Sequence, residues 1–324
     1  MTKLLDALEA RLESLACHDK SCAPPPIGSG GSKPGPGKGR LSPTDSGRVK
    51  PEAAADRWGA IIRAHGGQRA FEKMVSEMYT GDLGITDPDG REVRVELDRV
   101  FDYGLDIAVQ GSFVVGTGVK IGRFTRNIGM SDDNDAVVAT HGMLSIREKY
   151  RGLGIAQKFN DNALKGYDEL GVDRIELEAA LSTGPYAWAR QGYRYDEANS
   201  TLSRHEWVGD RIEVMRQSVS NKREAGEISD TQAVAMDREL VDLKNASRRG
   251  ADVQPIHVAS IGEGDPAWST RDGTSWIGKD SLMQWEGQNA DVNRSWHGVY
   301  YLGRESTLNA SALMSALQRR VESK

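Results

Sequence analysis

Hydrophobic positions change their spacing several times along the chain, and each change predicts an element. Leu4, Leu5, Leu8, Leu12 and Leu15 recur at intervals of three and four, the pattern of a short amphipathic helix over residues 3–16. Such a stripe needs a cover: the main domain, a second copy, or another protein. Residues 19–54, including "APPPIGSGGSKPGPGKGRLSPTDSG", lose all periodicity and have the Pro/Gly/Ser composition of a disordered tether. From Ala55, "AADRWGAIIRAHGGQRAFEKMVSEMY" returns to helical spacing as one or two helices. Apolar and polar residues then alternate through "REVRVELDRVF", "YGLDIAVQGSFVVG", "GVKIGRFTRNIG" and "DAVVATHGMLSI" (135–146), with "GTG" (116–118) as a hairpin turn. Ile155, Phe159, Ala163 and Tyr167 line one face of a helix over 153–170 that Gly171 stops. "DRIELEAAL" (173–181) is a further strand, and "PYAWARQGYRYD" (185–196) a short helix running into a turn.

Helices, antiparallel strands and a strand–helix–strand unit together predict an α+β or mixed α/β domain over residues 55–208. Residues 209–250 read as a polar helical pair, with Ser229 and Asp230 as candidate caps of its second helix. Residues 251–324 hold Trp268, Trp276, Trp285 and Trp296 amid Gly, Ser and Asp, a texture closer to an irregular docking tail with a terminal helix than to an independent fold.

Composition narrows the class. A formal charge of −5 gives no global attraction to nucleic acid or to an anionic membrane. A mean hydropathy of −0.54 over 324 residues implies that part of the chain stays outside any core. Cys17 and Cys22 are the only cysteines, which excludes a disulfide scaffold and fits a reducing compartment. With His18 they lack a fourth nearby ligand, so no metal site is expected. No apolar run approaches the ~20 residues of a membrane span. The N-terminal apolar pattern is interrupted by acids, unlike a secretory signal, so a cytoplasmic location is expected.

The chemistry-bearing stretch is "YRGLGIAQKF" at residues 150–159. Glycines at a strand-to-helix junction expose main-chain N–H groups where the helix dipole favours an anion. A Walker A loop is excluded because no Gly-Lys-Ser/Thr follows, and the dinucleotide fingerprint fails at Gln157. The pattern satisfied is Arg/Gln-x-x-Gly-x-Gly/Ala, by Arg151, Gly154 and Ala156. Together with "LSIREKYRGLGIAQKF…LKGYDELGVDRIELEA" and the closing "WARQGYRYD", residues 140–196 resemble the GNAT N-acetyltransferase superfamily, with a looser fit back to about residue 57. The resemblance implies a mixed, mostly antiparallel central sheet flanked by helices, with acetyl-CoA or a related acyl-CoA as cofactor. It implies a pyrophosphate held by the main chain of Arg151, Gly152, Leu153, Gly154, Ile155 and Ala156. It also implies a pantetheine arm paired with the edge at Leu144, Ser145 and Ile146. Arg151 is either a phosphate ligand or an ordinary surface arginine.

In that family an amine, deprotonated by a carboxylate or through water, attacks the thioester directly. Strand parity turns Glu176 and Glu178 away from Ile175, Leu177 and Ala179. Glu178 is the preferred base, the other reading being two solvated acids. His141, placed by parity with Met143 and Ser145, either acts as a base or lines the pocket. Where the family commonly has a tyrosine acid, four residues before Gly192, this chain has Trp188, leaving Tyr186 or water for that role. The expected function is an acyl-CoA-dependent N-acetyltransferase acting on an amine that no motif identifies. The alternatives are a catalytically weak binding or structural module of a larger assembly, or a nucleic-acid-modifying enzyme. The N-terminal helix and the Trp-containing tail are the candidate surfaces for a protein partner; no membrane association is expected.

Overall fold

A computed structural model describes residues 51–131, 136–179, 184–270, 273–283 and 296–302, with residues 51–54 described by their backbone alone. The amphipathic N-terminal stripe, nearly all of the tether, the Cys17–Cys22 stretch, the acidic loop after Ser131, Trp285 and the terminal helix lie outside the described residues. Two compact units emerge, dividing between Leu177 and Glu178, inside the stretch 55–208 that the sequence pattern kept together. Tyr301 and Leu302 return to the first unit.

The first unit opens with α1 (Pro51–Ala64) and α2 (Gln68–Met78). Residues 51–54, expected to belong to the tether, are helical instead. Proline at a helix start costs nothing, since the N–H it lacks has no partner there. Six strands follow: β1 (Gly81–Thr86), β2 (Glu92–Asp102), β3 (Asp106–Val115), β4 (Val119–Met130), β5 (Val137–Ile146) and β6 (Arg174–Ala179). They lie in sequence order. The ladder is antiparallel from β1 to β5, and β6 joins β5 in parallel after α3 (Ile155–Glu169) crosses over. The sheet is thus mixed, mostly antiparallel and flanked by helices, the architecture that the resemblance implies.

Apolar alternation decides which face the helices cover. Phe113 on β3 and Phe124 on β4 point at Phe159 of α3, with ring centroids 5.1 and 4.5 Å away, and Tyr79 closes the cluster 5.8 Å from Phe159. All four rings are buried. Each phenylalanine removed from water in this way contributes on the order of 1.5–3 kcal/mol.

Gly171, at φ 69°, ends α3 because its left-handed backbone folds the chain back on the last turn. Val172 N–H reaches the Tyr167 carbonyl at 2.9 Å and Gly171 N–H that of Asp168 at 3.1 Å, which satisfies the terminal carbonyls. Asp173 then gathers distant segments. Its carboxylate accepts from Arg57 of α1 (2.8 Å) and from the Val137 amide of β5 (2.7 Å), and its carbonyl accepts from the Leu302 amide (3.0 Å).

The second unit, Glu178–Tyr300, contains α4 (Gly184–Arg190), β7 (Arg194–Tyr195), α5 (Arg204–Glu224), α6 (Asp230–Arg248), α7 (Pro255–Ala259), α8 (Ile277–Leu282) and β8 (Trp296–Tyr301). β7 and β8 pair antiparallel. The helical pair is present and starts earlier than expected, at Arg204, where Ser203 and Glu206 form a capping box. Ser229 caps α6 by accepting from the Gln232 amide, whereas Asp230 is already the first helical residue. Arg216–Asp237 and Lys244–Glu213 ion pairs tie the two helices. The Trp-containing tail departs from the docking segment expected. Trp268, Trp296, Val258, Ile277 and Leu282 are buried, so its described part supplies core to this unit.

Candidate functional site

The site begins with a fault in the β4–β5 ladder. Phe124 pairs with Leu144 and Arg126 with His141, so Thr125 alone stands opposite both Gly142 and Met143. One extra residue on one strand is a β-bulge, which interrupts the ladder and reverses side-chain parity beyond it. Leu144 and Ile146 therefore share the face of His141, and Met143 and Ser145 do not follow it as strict alternation had implied. Gly142 is required at the fault: a Cβ there would lie 2.4 Å from Thr125 Oγ1.

Beyond the bulge the other edge of β5 opens. Pairing with β6 runs from Val138↔Arg174 to His141↔Leu177 and stops. Arg147 N–H reaches the Ile121 carbonyl at 2.8 Å, and Ser145 O lies so near β4 that a Cβ on Gly122 would meet it at 2.4 Å. The main chain of residues 145 and 147 thus faces β4, and alternation turns that of Leu144 and Ile146 to the opened side. Arg151 Nε donates to the Ile146 carbonyl at 3.0 Å, which ties the loop to this edge.

The loop itself runs through one 3₁₀ turn (Glu148–Tyr150), anchored by the buried Tyr150, to the start of α3. Gly152 and Gly154 have φ of 81° and 78°, and a Cβ on either would meet open space. These backbones therefore call for glycine through torsion alone, since among the described residues nothing lies within 4 Å of a Cβ added at either. Arg151 N–H is taken by the Glu148 carbonyl (3.0 Å). This corrects one expectation, since that amide is already engaged and does not belong to the cradle. No hydrogen bond to an acceptor is found among the described residues for the amides of Gly152, Leu153, Gly154, Ile155 and Ala156. Arg147, Lys149, Arg151 and Lys158 are exposed around the turn. Free amides at a helix N-terminus, a positive dipole end of about half a charge and a basic rim suit a diphosphate. The residues present fit that part of an acyl-CoA, and the opened edge at Leu144 fits an extended amide chain.

His141 lies elsewhere than an open pocket. It is buried on the helix-covered face, where Nε2 and the Tyr167 hydroxyl are 2.8 Å apart, and Tyr167 in turn meets the Tyr79 hydroxyl at 2.6 Å. Arg126, its cross-strand partner, is also fully buried. Its guanidinium lies 5.3 Å from the Phe159 ring and donates to Asn160 Oδ1 at 3.2 Å. Burial, and then the positive charge of Arg126, hold the His141 pKa well below its ordinary 6.5. The ring is a neutral core group. An unfolded chain protonates this histidine first as pH falls, so its contribution to stability is complete above about pH 6.5 and is lost below that value, toward the depressed folded pKa. Urea titrations should show wild type losing about 1.4 kcal/mol per pH unit below pH 6.5 relative to His141→Gln. Parallel profiles for the two proteins would rule this out.

Glu178, Tyr186 and Trp188 belong to the second unit. Glu178 is exposed and is the residue on β6 that follows the last pair with β5, whereas Glu176 is held by Arg174 at 2.8 Å. Tyr186 is half-buried against Trp276 (5.8 Å between centroids), with Lys279 Nζ 5.5 Å from its ring. Burial raises its pKa. Trp188 is buried edge-on to Tyr193, with centroids 5.1 Å apart. Thr125 and Arg126 escaped notice in the sequence. The signals available were a glycine inside a strand, at Gly142, and an arginine in register with Phe124 and Ile128.

Neither protein-family models nor curated proteins match the chain. Among solved structures, one of the NatC complex bound to Gag peptide and CoA aligns at 23% identity and a TM-score of 0.25, over 27% of this chain and 58% of that one. A GNAT-family acetyltransferase from Staphylococcus aureus Mu50 aligns at 17% identity and a TM-score of 0.24, over 30% and 63%. Nourseothricin acetyltransferase aligns at 20% identity and a TM-score of 0.23, over 38% and 78%. The first two alignments span less than two thirds of those chains' own lengths, and scores of this size decide nothing by themselves.

Proposed function

We propose that the first unit binds an acyl-coenzyme A thioester and that the protein transfers the acyl group to an amine. One observation carries this reading: amides from Gly152 to Ala156 that find no acceptor among the described residues stand beside a strand edge where pairing with β6 has stopped. In this reading the amides of Gly152–Ala156 hold the diphosphate, and Arg147, Lys149 and Lys158 supply long-range attraction. Arg151 keeps the loop on the Ile146 carbonyl. The main chain of Leu144 pairs with the amide arm and so fixes how far the thioester reaches. When bound, the thioester supplies an activated acyl carbon.

Holding amine and thioester together accounts for much of the acceleration such a reaction needs. Glu178, exposed and next after the last β5–β6 pair, is the preferred group to take the amine proton. The leaving thiolate also needs a proton, and Tyr186, kept protonated by burial, is the tyrosine that the resemblance leaves for that role, with water as the other donor.

A second reading rests on Trp188. The position where the resemblance calls for a tyrosine carries a buried indole packed on Tyr193, and an indole does not protonate a thiolate. On that reading the domain binds the coenzyme without turnover.

One experiment separates the readings. Acetyl-CoA should raise the melting temperature of the full chain where NAD and ATP do not, and a panel of primary amines should release free thiol. Stabilisation with no thiol release from any amine supports the binding module. No stabilisation by acetyl-CoA at any concentration up to millimolar defeats both readings.

A further inference from the structure

At the bulge, two side chains have taken over the bonds that a continuous ladder would make between main chains. The Met143 amide donates to Thr125 Oγ1 at 2.9 Å, and the Thr125 carbonyl accepts from Arg126 Nη1 at 2.8 Å. The extra residue on β5 is accommodated because a hydroxyl, reaching further than the Thr125 backbone, meets the displaced amide. Gly142 leaves that hydroxyl room, its own Cβ position lying 2.4 Å from Oγ1. Arg126 is fixed in turn by Asn160 on α3, the helix whose N-terminus forms the cradle.

We propose that Thr125 is a positioning residue for coenzyme binding: its hydroxyl locks the bulge that turns the main chain of Leu144 and Ile146 to the opened edge. Thr125 touches no ligand in this scheme. It acts through Met143, setting the parity of the four residues that lead into the loop. This rests on the acyl-CoA reading above and adds to it the group that decides whether the strand edge and the cradle are in register with each other.

The test compares wild type, Thr125→Val, which keeps the shape and loses the hydroxyl, and Thr125→Ser, which restores the hydroxyl. Two readouts are taken on the full chain: exchange of the Met143 amide without coenzyme, and affinity for CoA by calorimetry. Thr125→Val is expected to speed Met143 exchange and to weaken CoA about tenfold, the scale of one hydrogen bond, while Thr125→Ser stays within about twofold of wild type on both. A merely structural role would lower the melting temperature without this pattern of rescue. Unchanged Met143 exchange in Thr125→Val overturns the lock, and faster exchange with unchanged CoA affinity overturns the positioning role. If wild type itself takes up no CoA, the acyl-CoA reading and the positioning role fall together, while the exchange comparison still decides whether Thr125 holds the bulge. Thr125→Ala replaces the valine variant should that one fail to fold, since it removes the hydroxyl without adding bulk.

Discussion

Phe159→Ala lowers the stability of the first unit by about 3–5 kcal/mol, the cost of deleting a buried aromatic side chain and leaving a cavity behind. Phe159 is the one ring of α3 that meets Phe113, Phe124 and Tyr79 together, and its face also lies near the Arg126 guanidinium. The loss therefore falls on the contact that seats α3 on the sheet. Denaturant titration followed by the near-ultraviolet signal of the aromatic cluster reads it directly. Phe159→Leu, which fills most of the volume, should recover more than half. A shift below about 1 kcal/mol for Phe159→Ala would mean that the cluster is not the centre of this core.

If the first unit binds coenzyme A as proposed, Gly154→Val is expected to lower affinity for CoA about a hundredfold or more. The residue caps α3 at φ 78° and ψ 7°, a conformation that costs a side-chain-bearing residue about 1–2 kcal/mol and a β-branched one more. Valine moves the turn out of that region and turns away the amides beside it. Losing two charge-assisted bonds of about 1.5 kcal/mol each accounts for the factor. Gly171→Val is the control. It imposes the same torsional strain at φ 69° on the far end of the same helix, so it should cost similar stability and leave affinity unchanged. Equal affinity in Gly154→Val and wild type would remove the loop from the site.

How much of this could be read from sequence follows from where each signal resides. α3 was legible because Ile155, Phe159, Ala163 and Tyr167 repeat every four residues and Gly171 can adopt the backbone that stops it; all four apolar positions are buried. The strands were legible because alternation is local. The bulge was not, since it depends on a hydroxyl reaching from β4 to an amide of β5, a contact between positions far apart in sequence. His141 was consequently placed with Met143 and Ser145, although its ring lies in the core beside Tyr167. The burial of residues after 250 was not legible for another reason. Their glycines, serines and aspartates dilute the periodicity, and the burial of Trp268 and Leu282 comes from packing within the second unit rather than from local spacing. The glycine-dependent turn of the loop was legible, but the engagement of the Arg151 amide was not, because it is consumed by a 3₁₀ turn that composition does not announce.

The junction at Asp173 bears on how the first unit is made. Its carboxylate can engage Arg57 and Val137 as soon as β6 has been synthesised, but its carbonyl waits for the amide of Leu302. At a translation rate of about 5–20 residues per second, the intervening segment takes on the order of ten seconds to emerge from the ribosome. Throughout that interval the nascent sheet stands with one main-chain acceptor still facing water, and the bond to that acceptor closes only once Leu302 has emerged.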